Sequence, residues 1–401
     1  MPCLPKTGQS CSCVKEPEMP NPRSQYKTSQ MALVKEISAA RAVIVVGLGA
    51  IGSRVAAELG PMDLQRILLV DHDVIEPRNV RCCAAFKPAD VGRYKAEVMA
   101  DFLGKRHPGT EPIALSKSIT RAGLASLRDA CPAVLVGGVD NRRARLELVE
   151  ISKLLGLPLI DLAVAASPKE WVARAQMTWH ALDRRMDPLR SWTRTDWDII
   201  AQRESCARSI PTSVDESRPL LSTVSAAQAA ALGLAEVRRL LNGDVVNIGC
   251  EVRIDLKNVF VRRLKLPVTG YSPLDSVSQI TEISERFDVR TLGDLERGVR
   301  LHFGVDAQIV LNRPISASFF CRHCGRSAYS AGPAEDCRPC PVCKRGLVAA
   351  EPVSYLPQET ASRLSKALVG CLGVDRDLLR VTGATGIEDD VWIEYQQKDL
   401  S

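Results

Sequence analysis

The stretch from Arg41 to Asp73, RAVIVVGLGAIGSRVAAELGPMDLQRILLVDHD, constrains this chain more than any other part of it. Ala42–Val46 is a short apolar run rich in β-branched residues, which predicts a buried parallel strand. Gly47, Gly49 and Gly52 follow as G-x-G-x-x-G, Ser53–Leu59 has helical character, and Arg66–Val70 is a second strand ending at Asp71. In such a unit one glycine allows the tight turn, one lets the backbone approach a phosphate, and one lets helix pack on strand. The helix N-terminus then faces the anion. Asp71 lies nineteen residues after Gly52, where an acid can bond a ribose hydroxyl. Strand, glycines, helix, strand and acid in that order predict a nucleotide site.

The alternation continues. The pattern predicts helices over 93–103, 124–130 and 142–155 and strands over 112–115, 133–136 and 157–163. It therefore predicts an α/β fold with a doubly wound, Rossmann-like sheet. The segment from Asp71 to Val91 has no period and reads as loop. A strand over 171–179, an irregular crossover over 180–221, an Ala-rich helix over 222–241 and a hairpin over 250–266 complete this part. The division expected is a mobile arm at 1–29, a nucleotide domain at 30–266, a mixed α/β extension at 267–314, a cysteine module at 315–352 and a tail at 353–401, with a helix over 362–372. A short helix over 31–40 leads into the first strand.

The chain has 14 cysteines, and five of them fall between Cys321 and Cys343. Cys321-x₂-Cys324, fifteen residues, then Cys340-x₂-Cys343 is the spacing of a four-cysteine zinc ribbon. Gly325 and Gly346 suit its knuckle turns. Cys337 offers an alternative ligand and His323 a spare donor. Cys131, Cys250 and Cys371 adjoin apolar runs and read as small buried hydrophobes.

The order of these motifs resembles the ThiF/MoeB/HesA family, which includes the adenylation domains of ubiquitin-activating enzymes. The resemblance covers about Ser29 to Leu266. It rests on VVGLGAIGS, on Asp71 and Asp73, on Asn79 in EPRNV, on Lys95 in GRYKA, and on Asp140, Asn141 and Arg145 in GGVDNRRAR. Cys206 in RESCARS and the Ala-rich helix continue it.

The resemblance implies ATP-dependent adenylation of the C-terminal glycine of a ubiquitin-like protein. Asp71 would hold the ribose, with Asp73 and Asn79 nearby. Lys95 would neutralise phosphate, and Asp140, beside Asn141, would hold Mg²⁺ or a water on it. Cys206 would be the thiol for a following thioester, with Cys82 and Cys83 as runners-up. A homodimer, with a conjugating enzyme as a further partner, is implied. Two alternatives stay open: a sulfur-carrier adenylyltransferase for cofactor synthesis, and an inactive scaffold half of such an activator. An NAD-dependent oxidoreductase shares the glycine fingerprint, but Asp-x-Asp, Lys95 and Asp140–Asn141 argue against it.

One departure bears on activity. The family pattern after the asparagine is N-L-x-R-Q, whose arginine contacts phosphate, and here Cys82 stands at that place with Arg81 one residue early. Upstream, QYKTS around Tyr26 has no arginine either. Arg54, just after the glycines, is the candidate to compensate. Net charge is +6, without a clustered basic stretch, which argues against nucleic acid. No apolar run reaches membrane-spanning length and the N-terminus has no signal core, so the expected location is cytoplasmic.

Overall fold

Strand β1 (Ala42–Val46) is buried along its whole length, as a central parallel strand must be. Strands β2 (Arg66–Val70) and β4 (Val134–Gly137) pair with it on either side, both parallel. Next to β2 lies β3 (Glu111–Leu115), and next to β4 lies β5 (Leu159–Ala166), again parallel. Beyond β5 the sheet becomes antiparallel through β6 (Trp171–Thr178), β7 (Cys250–Asp255) and β8 (Phe260–Lys265). The eight-stranded order is β3-β2-β1-β4-β5-β6-β7-β8.

This computed structural model describes residues 22–83, 85–119, 123–166, 171–183, 188–191, 218–268, 279–280, 282–334, 339–356, 364, 366–367, 372, 376–386 and 391–398. Cys206, most of the crossover, Cys337, Cys371 and most of the expected helix over 362–372 lie outside the described residues.

Successive side chains of a strand point to opposite faces, and β1 feeds two cores in this way. Val43 and Val45 join one core, packed by helices α1 (Pro22–Ala40), α2 (Gly52–Leu59), α4 (Lys95–Arg106) and α7 (Arg218–Leu241). Ile44 and Val46 join the other, under α5 (Leu124–Asp129) and α6 (Arg142–Leu154). Each such side chain taken fully from water contributes about 1.5–3 kcal/mol. The sheet is thus doubly wound, as the alternation predicts.

Two local differences have simple causes. Helix α1 starts at Pro22, so residues 22–29, read from the sequence as arm, are its first turns; proline is favourable at a helix start. The stretch read as loop after Asp71 contains α3 (Pro77–Cys82), too short to show a period.

The C-terminal part forms a second sheet. Strand β9 (Glu285–Val289) pairs in parallel with β17 (Val391–Gln397), which pairs antiparallel with β16 (Arg376–Thr382). β16 pairs in turn with β10 (Gln308–Ser316). Helix α8 (Leu292–Phe303) covers this sheet through Leu292, Leu295, Val299 and Phe303. The segments 267–314 and 353–401 therefore share one sheet, and the cysteine module is inserted between β10 and β16. Its own small sheet is built from β11 (Ser318–Phe320), β12 (Ser327–Ala328) and β14 (Val348–Ala350).

The two sheets are tied together. Leu378 of β16 and Ile280 belong to the core under α5 and α6. The buried Asp377 carboxylate accepts the amides of Ala125 at 3.3 Å and Leu378 at 2.8 Å, and Asn312 Nδ2 at 3.0 Å. Arg376 reaches Asp129 at 2.6 Å. An acid from the second sheet thus satisfies an orphan donor at the start of α5, as a cap would.

Candidate functional site

The carboxyl ends of β1, β2 and β4 meet at one edge of the sheet, where ligands bind in open α/β folds. The glycine loop after β1 is set by sterics. Gly47 takes φ +82°, a region costly for other residues. A Cβ on Gly52 would lie 1.8 Å from the Gly47 carbonyl oxygen. A Cβ on Gly49 would meet nothing within 4 Å, so this glycine leaves open space beside the backbone rather than serving packing. That open cradle at the first turn of α2 fits a phosphate.

Asp71, at the end of β2, is buried and builds the loop. Its Oδ2 accepts the Leu48 amide at 2.5 Å and its Oδ1 accepts the Asp73 amide at 2.8 Å. Burial pushes its carboxyl above the ordinary value, and the charge of Lys95 and these two amides offset that only in part. Asp73 is half exposed and faces Lys95, whose Nζ lies 2.8 Å from Asp73 Oδ2. Burial raises the Asp73 carboxyl too, but the hydrogen bond and charge of Lys95 outweigh it and leave it below the usual carboxylate value. Lys95 is 6% exposed at the first position of α4, unlike the solvated lysines usual on helix surfaces.

Asp140 is exposed in the loop between β4 and α6. Asn141 caps α6, its Oδ1 accepting the Ala144 amide at 2.8 Å. Gly138 packs this loop on the glycine loop, bringing Asp140 to the same edge as Gly47, Gly49 and Gly52. Arg145, quoted from the sequence only as part of a motif, is a staple beneath it. It donates to the carbonyls of Val139 at 2.7 Å and Leu162 at 3.1 Å and pairs with buried Asp161. Its spacing gives no signal for that role, because the partners come from the loop after β4 and from β5.

Asn79 serves its own helix, with Oδ1 accepting the Glu76 amide at 2.8 Å. Cys83 is buried in the core and does not face the nucleotide edge as an exposed thiol would, which corrects its reading as a runner-up nucleophile. The side chain of Cys82 and all of Cys206 lie outside the described residues. Burial pushes the Cys131 thiol up to about 12, and Cys250 is buried, as inert thiols should be.

Far along the chain, the sulfurs of Cys321, Cys324, Cys340 and Cys343 lie within 4.8 Å of one another. Cys321 and Cys343 are 3.5 Å apart, Cys324 and Cys340 3.6 Å. Four thiolates at Zn–S of about 2.3 Å in a tetrahedron stand roughly 3.7 Å apart, so the cluster fits zinc. The amides of Cys343 and Val342 hold the Cys340 thiol down to about 6, and those of Cys324 and His323 lower Cys321. Gly325 takes the left-handed turn of the first knuckle, φ +69°. In the second knuckle that place belongs to Lys344, φ +60°, not to Gly346.

The sequence pattern described as the ThiF family matches residues 23–237, more than half of the chain. The chain belongs to the ThiF family. Among curated relatives, the tRNA threonylcarbamoyladenosine dehydratase 1 of Saccharomyces cerevisiae is 29% identical over 113 residues, which are 27% of this chain and 26% of the relative. The SAMP-activating enzyme E1 of Haloferax volcanii is 27% identical over 30% of this chain and 45% of its own. The sulfur carrier protein ThiS adenylyltransferase of Escherichia coli is 28% identical over 29% and 47%. This ThiF-family chain thus spans between about a quarter and a half of the length of these relatives. Among solved structures, E. coli MccB with ATP superposes with a TM-score of 0.46 at 20% identity, over 63% of this chain and 70% of that one. No described helix is long and apolar enough to cross a membrane.

Proposed function

We propose that this chain is an ATP- and Mg²⁺-dependent adenylating enzyme that activates the C-terminal glycine of a ubiquitin-like or sulfur-carrier protein. The observation that carries this reading is the buried Lys95 ammonium, 2.8 Å from Asp73 and set at the sheet edge that holds the glycine loop and Asp140. A carboxylate oxygen attacks the α-phosphorus of ATP, the bond to the bridging oxygen breaks, and its electron pair leaves on pyrophosphate. Such a transfer is mainly positioning and charge neutralisation. Lys95 and the loop amides offset charge on the phosphates. Asp71, ordered by its bonds to the loop amides, would hold the ribose, with the half-exposed Asp73 beside it. Asp140 would hold Mg²⁺, which supplies Lewis-acid stabilisation of the phosphate oxygens.

The relatives named for SAMP and ThiS activation support a protein carrier as substrate. In this reading Cys206 accepts the acyl group as a thioester, the enzyme works as a cytoplasmic homodimer, and a conjugating enzyme takes the product. The four cysteines hold a structural zinc that stabilises the inserted ribbon. An inactive scaffold is the second reading, favoured by cysteine at position 82, where the family pattern has arginine.

ATP–pyrophosphate exchange with carriers ending in glycine tests the proposal. Exchange that requires the carrier and disappears in Asp140→Ala supports it. Absence of exchange, with ATP still bound, leaves the scaffold reading.

A further inference from the structure

We infer that Arg54 is the residue that grips the phosphate end of the nucleotide in this chain. The inference rests on the nucleotide site proposed above, though not on catalysis there.

A nucleoside triphosphate is a polyanion, yet the described edge offers three carboxylates, Asp71, Asp73 and Asp140, against one ammonium. That ammonium, Lys95, is already bonded to Asp73. Several of the other arginines close in sequence to these loops are held by acids. Arg78 pairs with Glu76 at 2.6 Å, Arg93 with Asp101 at 2.7 Å, and Arg145 with Asp161. Arg54 has no carboxylate partner among the described residues, and neither has Arg81 in the last turn of α3; the one side-chain hydrogen bond of Arg54 runs from Nη1 to the Ala50 carbonyl at 2.5 Å.

Its position explains what the rest of the guanidinium can reach. Arg54 lies in the first turn of α2. Helical side chains lean toward the N-terminus, so this one lies back along the glycine loop, as the bond to Ala50 records. The remaining donors of the fork have no carboxylate partner among the described residues, and Gly49, next to Ala50 in the chain, is the open position of the loop. A cation in a first turn opposes the helix dipole, and α2 has no acid there to balance it. An anion seated on that terminus removes the conflict, because it meets the amides and the guanidinium together.

The test is calorimetric titration of the full chain with ATP and, separately, with adenosine, both with Mg²⁺ present. Arg54→Ala, Arg54→Gln and Arg81→Ala are compared with the parent, each checked for an unchanged melting temperature. Arg54→Ala and Arg54→Gln are expected to weaken ATP about tenfold and to leave adenosine unchanged. ATP bound as tightly by both Arg54 variants as by the parent overturns the inference. So does an equal loss for ATP and adenosine, or a loss for ATP found in Arg81→Ala alone. A parent that binds neither ligand removes the nucleotide site and the inference with it. A parent that binds ATP without pyrophosphate exchange removes only the adenylation reading, and the Arg54 comparison still decides.

Discussion

Gly138 packs so closely on Gly52 that a Cβ added to it would lie 2.9 Å from the Gly52 amide nitrogen. Two loops, after β1 and β4, are thereby pressed together with no room for a side chain between them. The contact holds the loop that carries Asp140 against the glycine loop.

The glycines of the loop should respond differently to alanine. Gly52→Ala places its Cβ 1.8 Å from the Gly47 carbonyl, and such overpacking costs about 2 kcal/mol or more. Gly49→Ala meets nothing in the chain, so its stability should stay within about 0.5 kcal/mol of the parent. Its ATP affinity should nonetheless fall, because the new methyl fills the cradle. Chemical denaturation and ATP titration of the two variants measure both effects.

Lys95→Met should abolish most of the exchange activity while the protein stays folded. Asp73 is 54% exposed, so water takes over much of its charge once the ammonium is gone. A charge-stabilising group at a reacting phosphate is worth about a hundredfold in rate. Exchange kinetics beside a thermal melt separate the two quantities.

Stability should fall as pH rises through the titration of Asp377. Burial pushes this carboxyl up, outweighing the amides of Leu378 and Ala125 and the Asn312 amide group. Its folded value lies above its unfolded one, so the folded chain binds more protons between them. The contribution is fully present below the unfolded value of about 3.9 and is lost as pH passes the folded one. Asp377→Asn should flatten this part of the profile, measured as melting temperature against pH from about 4 upward.

Metal analysis should find about one zinc per chain. The described ribbon core is only Phe319, Cys321, Cys340 and Leu347, too little to fold without a metal. Cys340→Ser should lose the zinc, and limited proteolysis should then cut within residues 318–350 while the nucleotide domain stays intact. Retained zinc in this variant would point to Cys337 or His323 as a replacement ligand.

Much of the nucleotide domain was legible because its signals are local. An apolar run with β-branched residues can only be a buried strand here, and the spacing of Gly47, Gly49 and Gly52 dictates a loop between strand and helix. The two C-x-x-C pairs likewise announce their cluster, since each knuckle is a five-residue unit whose geometry depends on little else. Helix α3 escaped because six residues carry no readable period.

Side-chain duties were less legible, because they depend on what lies across the fold. Position alone marks Asp71 as a ligand acid; only the structure shows that it also ties the Leu48 and Asp73 amides together and that Asp73 beside it is half open. Nothing in the spacing shows that Arg145 staples Val139 to Leu162, or that Asp377 satisfies a donor of α5, 252 residues away. The chain's own sequence determined the order of strands and helices, the glycine loop and the cysteine cluster. The tertiary structure decided that residues 267–314 and the tail close one sheet around the ribbon, and which charges at the nucleotide edge are paired. Periodicity and steric limits act between near neighbours, whereas burial and ion pairing are settled only when distant strands are brought together.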